Sequence, residues 1–275
     1  MEILTLIFAG ILSIFTPIGI ISDHIAANQI RSQTESIDKL AVRIDNIPSY
    51  QITQGKIDRL RIASRGVQLT PEVRLDVLEI ETDPLEVNLQ RLRNSEQDCL
   101  RACLRQPLQA GVRLVVTEED LNQAFQAPEI KIKLQQIFNS FVAKIPFTPP
   151  QGYEIIDIKL DLLGENRLAS QIQLQPIRTN SATDLDIPTP VLLEMEVGLE
   201  VVEGKKLSFT EPKVTYDNSI IPSSFSSGIL NNVSRRLDLE NLQEEGILLR
   251  ILQLGLEEDY VEIATFIRAE PLANN

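Results

Sequence analysis

Most of the chain alternates between apolar and polar residues with a period of two. In 156–162, for example, Ile156, Ile158 and Leu160 alternate with charged residues. Because successive side chains of a strand point to opposite faces of a sheet, this period predicts strands with one buried face. The predicted strands are 40–45, 56–67, 73–81, 100–108, 112–116, 156–162, 168–174, 195–201, 207–216, 247–256 and 261–267.

These strands follow one another without helices long enough to act as crossovers, so the sheet should be antiparallel. Within 73–81 the apolar phase slips by one residue between Val77 and Leu78, which indicates a bulge that bends the sheet. The predicted fold is α+β, with a long curved antiparallel sheet wrapped around amphipathic helices. Turns are predicted at 164–166 and 203–204.

Three helices interrupt the strands. Thr117 precedes three acidic residues, as at a helix N-terminus, and Pro128 should break the helix that follows. The next helix carries an apolar stripe at spacings of three and four residues, and a later one opens at Pro222. If these stripes line an apolar cavity, the lining residues are Leu121, Phe125, Leu134, Ile137, Phe138, Phe141, Phe225 and Ile229. Pattern alone favours the alternative that they fill a closed core.

The N-terminus carries a membrane signal. Residues 3–21 contain no charge and would form a helix of about 28 Å, close to the hydrocarbon thickness of a bilayer. An uncleaved anchor fits this length best, while a cleaved signal peptide and a helix buried in the fold are the alternatives. We therefore divide the chain into an N-terminal hydrophobic anchor or uncleaved signal (1–22), a main domain (23–270) and a tail (271–275), and expect membrane contact through the apolar segment.

Charge and composition exclude several function classes. The net charge is −13, which disfavours nucleic acid and anionic membrane surfaces as partners. The chain has one histidine and lacks phosphate-loop, nucleophile-elbow and metal-ligand motifs, so we predict no catalytic residues, no metal and no cofactor. A hydrolase built on acidic clusters such as Glu194, Glu196 and Glu200 is a minor alternative, since such clusters usually lie on solvated surface.

The two cysteines, Cys99 and Cys103, are four residues apart. In a strand over 100–108 this spacing corresponds to about 13 Å, which is too far for a disulfide. The pattern therefore predicts two small apolar side chains rather than a cross-link.

Two segments resemble a known family. In 47–67, Pro48 precedes Gly55 by seven residues, and a strand of the form I-D-x-L-x-I then ends at Gly66 and Val67. In 111–122, a strand leads into a helix start of the form T-x-x-D-L-N. Both segments resemble signatures of the LmeA-like phospholipid-binding family, with which the resemblance extends over about 23–270.

The resemblance implies a bacterial cell-envelope protein that binds phospholipid without catalysis, in a curved sheet wrapped around helices. Combined with the apolar N-terminal segment, it predicts a membrane-anchored protein at the periplasmic or lumenal face, with a role in lipid transfer or envelope maintenance. The candidate head-group contacts are Arg59, Arg61 and Arg65, for which an exposed strand face is the alternative. The competing function is a membrane-tethered scaffold or protein-interaction domain with a solid core. The glycines of the signature are expected at a turn and at a strand end.

Overall fold

The computed structural model describes residues 31, 34–94, 100–142, 152–177, 189–244 and 246–272. Thirteen strands lie in this part of the chain, and the ladders that join them are antiparallel, as predicted. The strands are β1 Ser36–Asp45, β2 Lys56–Ile57, β3 Arg59–Thr70, β4 Val73–Thr82, β5 Leu85–Glu86, β6 Leu108–Thr117, β7 Tyr153–Gly164, β8 Arg167–Pro176, β9 Val191–Val202, β10 Lys206–Tyr216, β11 Ser219–Ile220, β12 Ile247–Leu256 and β13 Tyr260–Ala269.

The helices are short and sit between groups of strands. Thr117 caps α3 by accepting a hydrogen bond from the Asp120 amide, and Pro128 opens α4, as the sequence predicts. The α-helices are α1 Leu89–Asn94, α2 Leu100–Cys103, α3 Glu118–Phe125, α4 Pro128–Val142 and α5 Ser223–Arg236, and 3-10 turns occupy Ser49–Gln54 and Leu239–Leu242.

The strands form two main sheets rather than the single long sheet predicted. A six-stranded sheet has the order β1-β3-β4-β6-β13-β12, and a five-stranded sheet has the order β11-β10-β9-β8-β7. The pair β2-β5 is separate. The chain leaves the first sheet through α3 and α4 before β7 begins, and it returns after α5 so that β13 can pair with β6.

Each sheet has its own hydrophobic cluster. One face of the six-stranded sheet packs into a closed core, in which Leu60, Leu78 and Leu249 are at most 1% exposed. Leu239 and Leu242 of the second 3-10 turn complete this core. The smaller cluster of the five-stranded sheet includes side chains from α3 and α4.

The two sheets meet at the edge strand β12. The β7–β8 turn contributes Asn166. Its main-chain amide donates to the Leu256 carbonyl, and its side-chain Oδ1 accepts from the Leu256 main-chain amide at 2.9 Å. The β9–β10 turn contributes Gly204, whose carbonyl accepts from the Ile251 amide at 2.8 Å. One end of the five-stranded sheet thus abuts β12, and the other end points away from it.

Helix α3 joins both sheets through the T-x-x-D-L-N segment. Asp120 is 5% exposed and accepts hydrogen bonds from the Thr117 hydroxyl at 2.8 Å and from Arg74 of β4 at 2.9 Å. Two residues on, Asn122 pairs with the main chain of Leu160 in β7 through two bonds of 2.8 Å. The segment therefore has a structural role in positioning α3.

The free edge of β7 is covered by polar side chains from α3 and α4. Besides Asn122, Gln135 donates to the Tyr153 carbonyl and accepts from the Ile155 amide, both at 2.7 Å. Glu118 accepts from the Leu162 amide at 2.7 Å. These bonds satisfy main-chain groups that an edge strand would otherwise leave unpaired.

Two expectations for the six-stranded sheet are wrong. The register of β4 runs through Val77 and Leu78 without a bulge, and both residues are buried. Leu78 belongs to the closed core, whereas Val77 pairs with Val115 on the other face, where α3 packs. Gly66 lies inside β3, not at its end; a Cβ there would meet Asp38 Oδ2 at 2.0 Å.

The N-terminal segment cannot be compared with its prediction, because residues 3–21 lie outside the described part of the chain. Within that part, none of the helices combines the length and apolar character needed to cross a bilayer.

The interpretation of the cysteines is wrong. Residues Leu100–Cys103 form a helix instead of a strand, and the buried Cys103 is disulfide-bonded. The sequence has one other cysteine, Cys99, which lies outside the described residues. A helical rise of about 1.5 Å per residue brings positions four apart within disulfide reach, whereas a strand would separate them.

We expect removal of this disulfide to lower the free energy of unfolding by about 2 kcal/mol, the loop-entropy value for a five-residue loop. The measurement is urea unfolding of the wild type and of the Cys99→Ala, Cys103→Ala double variant, each with and without reductant. Reductant should destabilise only the wild type. Two titratable thiols in the unreduced, unfolded wild type would contradict the prediction.

Candidate functional site

The candidate site is the face of the five-stranded sheet that packs against α3 and α4, here called the inner face. The registers of β7 to β10 place every second residue on this face in rows that cross the sheet. One such row contains Ile158, Ile172, Leu193 and Tyr216, all of which belong to the second hydrophobic cluster. The next row contains Leu160, Ser170, Met195 and Val214.

Burial changes across the inner face. On β7 and β8, Ile158 and Leu174 are buried at 7% and 1% exposure. On β9 and β10 most inner-face residues are only half-buried. They are Val191, Leu193, Met195, Leu199, Val201, Leu207, Phe209, Val214 and Tyr216. The inner face is therefore mostly buried on β7 and β8 and mostly half-buried on β9 and β10. At the end next to β12, Val201 and Leu207 pack against the core of the other sheet, and α5 packs on β10.

Two tyrosines meet across the inner face at the end remote from β12. Tyr153 lies on β7 and Tyr216 on β10, with β8 and β9 between them in the sheet. Their hydroxyls are hydrogen-bonded, and their ring centroids are 6.3 Å apart in an edge-to-face arrangement. Burial, and then the hydrogen bond with Tyr216, raise the pKa of Tyr153 above its ordinary value.

The predicted cavity residues are placed as follows. Phe125, Leu134 and Phe138 pack into the second cluster against the inner face. Leu121 is half-buried on α3. The remaining four lie on α4 and α5, and their side chains are outside the described part of the structure: Ile137, Phe141, Phe225 and Ile229.

The predicted head-group arginines lie on the other sheet. Arg59, Arg61 and Arg65 share the outer face of β3, opposite the closed core. Each has a carboxylate nearby: Arg59 lies 3.2 Å from Glu81, Arg65 lies 3.8 Å from Glu79, and Arg61 pairs with Asp45. Hydrogen bonds from Arg61 and then Arg43 lower the pKa of Asp45 below its ordinary value. The structure does not bring these arginines together with the second hydrophobic cluster, because they lie on the other sheet.

A surface trough of about 510 Å³ lies on that same outer face. Its lining includes Arg61 and Arg113 together with the small residues Ala41, Ala63 and Gly111. Arg113 contacts Glu262 at 2.6 Å and Glu79 at 3.2 Å, so its charge is paired. Small residues therefore form the floor of the trough, and the charges of its arginines are paired with carboxylates. The trough lies on the other sheet, away from the inner face.

The acidic cluster on β9 lies on the outer face of the five-stranded sheet. Glu196 accepts hydrogen bonds from Arg167 at 2.6 Å and Lys213 at 3.1 Å, and these bonds lower its pKa. Glu194 accepts from the Thr215 hydroxyl at 2.9 Å. Across the described residues, His, Cys, Asp and Glu side chains do not gather in groups of three or more suited to a metal ion.

Sequence reasoning missed the sheet's contribution to the site. Alternation in 195–201 marks Met195 as an inward-facing strand residue, but it does not say which element lies opposite. The tyrosine pair had no sequence signal, because Tyr153 and Tyr216 are 63 residues apart and on strands that do not pair.

The fold is thus a two-sheet α+β protein in which one sheet has a closed core and the other a partly half-buried aliphatic face. The model of the LmeA-like phospholipid-binding family matches residues 16–266, nearly the whole chain, and the chain belongs to this family. No curated protein and no solved structure shows significant similarity to it.

Proposed function

We propose that the protein binds phospholipid non-enzymatically and holds the acyl chains against the inner face of the five-stranded sheet. The supporting observation is the half-buried aliphatic surface of β9 and β10, which lies beside the Phe125, Leu134 and Phe138 cluster. Membership of a phospholipid-binding family gives the ligand class. In this proposal, the described parts of α3 and α4 form the wall over β7, and α5, which packs on β10, borders the cleft on the other side.

Hydrophobic burial supplies enough free energy for such binding. Each methylene removed from water contributes about 0.8 kcal/mol, so a cleft that covers part of two acyl chains needs no charged contact to retain them. A charged head group can remain in solvent. This division agrees with the structure, in which the candidate arginines lie on the other sheet and contact carboxylates.

Native mass spectrometry of the detergent-purified full chain, followed by solvent extraction, tests the proposal. We expect a stoichiometric phospholipid adduct on the wild type. The Phe138→Asp variant should lose the adduct, because a carboxylate on the wall of the cleft opposes acyl contact. Its circular dichroism should remain that of the wild type, since Phe138 is only half-buried.

The Ile132→Asp variant is the matched control, because Ile132 is 59% exposed on the same helix. It should keep the adduct, which separates a specific site from lipid that merely surrounds an anchor. A wild-type chain without adduct after incubation with vesicles would contradict the proposal and favour the scaffold alternative.

Localisation belongs to the same proposal. We place the domain on the periplasmic or lumenal side of a bacterial membrane, tethered through residues 3–21, with a role in lipid transfer or envelope maintenance. The disulfide at Cys103 supports an oxidising compartment, since such bonds are rare in reducing cytosol.

A further inference from the structure

One buried hydroxyl on the inner face has no hydrogen-bond partner among the described residues. Ser170 lies on β8 and is 7% exposed, and its Oγ is buried and unpaired. The strand registers pair Ser170 with Leu160 and Met195, which places it in an inner-face row. Buried hydroxyls are nearly always hydrogen-bonded, because burial without a partner loses the free energy of their hydration. An unpaired hydroxyl on the proposed binding surface therefore indicates a polar group that a ligand supplies.

The described sheet around Ser170 offers little that could hold a water molecule there. Its inner-face neighbours are apolar side chains: Leu168 and Ile172 along β8, Leu160 on β7 and Met195 on β9. The main chain of β8 is paired with β7 on one side and β9 on the other. A buried water normally has about two to four polar partners, and in this row the Ser170 hydroxyl is the one strong partner.

Ser170 lies where the inner face changes from buried to half-buried. Ile158 on β7 and Leu174 on β8 are 7% and 1% exposed, whereas Met195, its neighbour on β9, is half-buried. Methionine is unbranched and has three rotatable bonds, so it adapts to a new neighbour without a shift of the main chain. A ligand on the half-buried surface of β9 can therefore reach the hydroxyl by displacing one flexible side chain.

The surroundings of Ser170 favour a neutral acceptor over a phosphate. The cation of β8, Arg167, contacts Glu196 at 2.6 Å and Glu211 at 2.9 Å, away from the inner face. A phosphate beside Ser170 would be buried among apolar side chains without a described cation to compensate its charge. An ester carbonyl is uncharged and accepts a hydrogen bond from a hydroxyl, so it satisfies Ser170 without this penalty.

We propose that the Ser170 hydroxyl donates a hydrogen bond to an ester carbonyl of the bound phospholipid, so that the site prefers ester-linked to ether-linked chains. The inference rests on the proposed function and adds the chemical linkage that the site recognises. A dialkyl lipid has a methylene group in place of each ester carbonyl and would leave the hydroxyl unpaired in the complex. A site that hydrogen-bonds its ligand discriminates against an analogue that lacks the acceptor.

Competition between two lipids on the full chain tests this preference. Detergent-purified protein stripped of lipid is mixed with equimolar diacyl and dialkyl phosphatidylcholine of the same chain length, and native mass spectrometry counts both adducts. We expect the diacyl-to-dialkyl ratio to be about five-fold higher on the wild type than on Ser170→Ala, the factor that one net hydrogen bond supplies. A purely structural role for Ser170 would change the binding of both lipids without changing their ratio.

Thr265→Val is the matched control. Thr265 on β13 is 2% exposed, and its Oγ1 also lacks a partner among the described residues. It pairs with Val112 and Ile251, however, and both belong to the closed core of the six-stranded sheet, which the proposed cleft does not reach. The Thr265→Val variant should therefore keep the wild-type ratio.

Stability measurements on the lipid-free protein complete the test. The free energy of unfolding of Ser170→Ala should equal or exceed that of the wild type, because the substitution removes an unpaired buried hydroxyl. A lower value would reveal a partner within the protein and overturn the inference, as would a ratio unchanged in Ser170→Ala or loss of both lipids by this variant. Equal ratios would leave the acyl cleft intact, whereas a wild type that binds neither lipid contradicts the proposed function itself.

Discussion

The Met195→Asp variant is expected to lose bound phospholipid completely while keeping the fold. Met195 is half-buried on the inner face of β9, between Ser170 of β8 and Val214 of β10. A carboxylate at this position remains hydrated when the cleft is empty, so its cost to folding is small. It would have to be dehydrated against an acyl chain when lipid binds, which is unfavourable by several kcal/mol. Solvent extraction and circular dichroism measure the two properties.

Val197→Asp is the matched control for this prediction. Val197 lies two residues further along the same strand and the same face, but it is 0% exposed. A charge there has no access to water in the folded state, so we expect loss of the folded protein, with a destabilisation above about 4 kcal/mol. If Met195→Asp also unfolds the protein, or retains lipid, the half-buried surface is not the acyl-binding surface.

Asn122→Ala is expected to detach α3 from β7 and to lower the free energy of unfolding by about 2 kcal/mol. In the wild type, the Asn122 side-chain amide donates to the Leu160 carbonyl and accepts from the Leu160 amide, both at 2.8 Å. The substitution removes both of these hydrogen bonds. An unpaired N–H and an unpaired C=O at a partly buried edge each carry a desolvation cost. Urea unfolding measures the loss, and hydrogen exchange at the Leu160 amide should accelerate.

Asn139→Ala provides the comparison for Asn122→Ala. Asn139 is exposed on α4 and accepts one side-chain bond from Gln135 at 2.8 Å, with no main-chain partner on β7 among the described contacts. Its loss should change stability by less than about 0.5 kcal/mol. Equal effects of the two substitutions would mean that the bonds to β7 contribute little.

The T-x-x-D-L-N segment shows which features the sequence predicts and which depend on the tertiary structure. Its pattern identifies the family and predicts the helix start at Thr117, and both are confirmed. It does not reveal that Asp120 is tied to Arg74 in one sheet while Asn122 is tied to Leu160 in the other. Those partners are 46 and 38 residues away, so their identities depend on how the sheets are arranged.

The wrong predictions have two different causes. Val77 and Leu78 read as a bulge because both are apolar, but the strand is regular, and α3 packs on the face that alternation would leave to solvent. The sequence of 100–103 reads as a strand, but Leu100–Cys103 forms a short helix, and Cys103 is disulfide-bonded. In the first case a contact distant along the chain overrides the local pattern, whereas in the second the local backbone conformation differs from the one predicted.

The sequence by itself determined that the strands are antiparallel, the helix start at Thr117, the turns at 164–166 and 203–204, and the family. These features depend on local periodicity, capping and turn chemistry, which act over a few residues. Only the tertiary structure decided that the strands divide into two sheets, and that Met195 is half-buried where Val197 is sealed. Burial is a property of the whole packing arrangement, so two neighbouring apolar residues with the same alternation can have opposite environments.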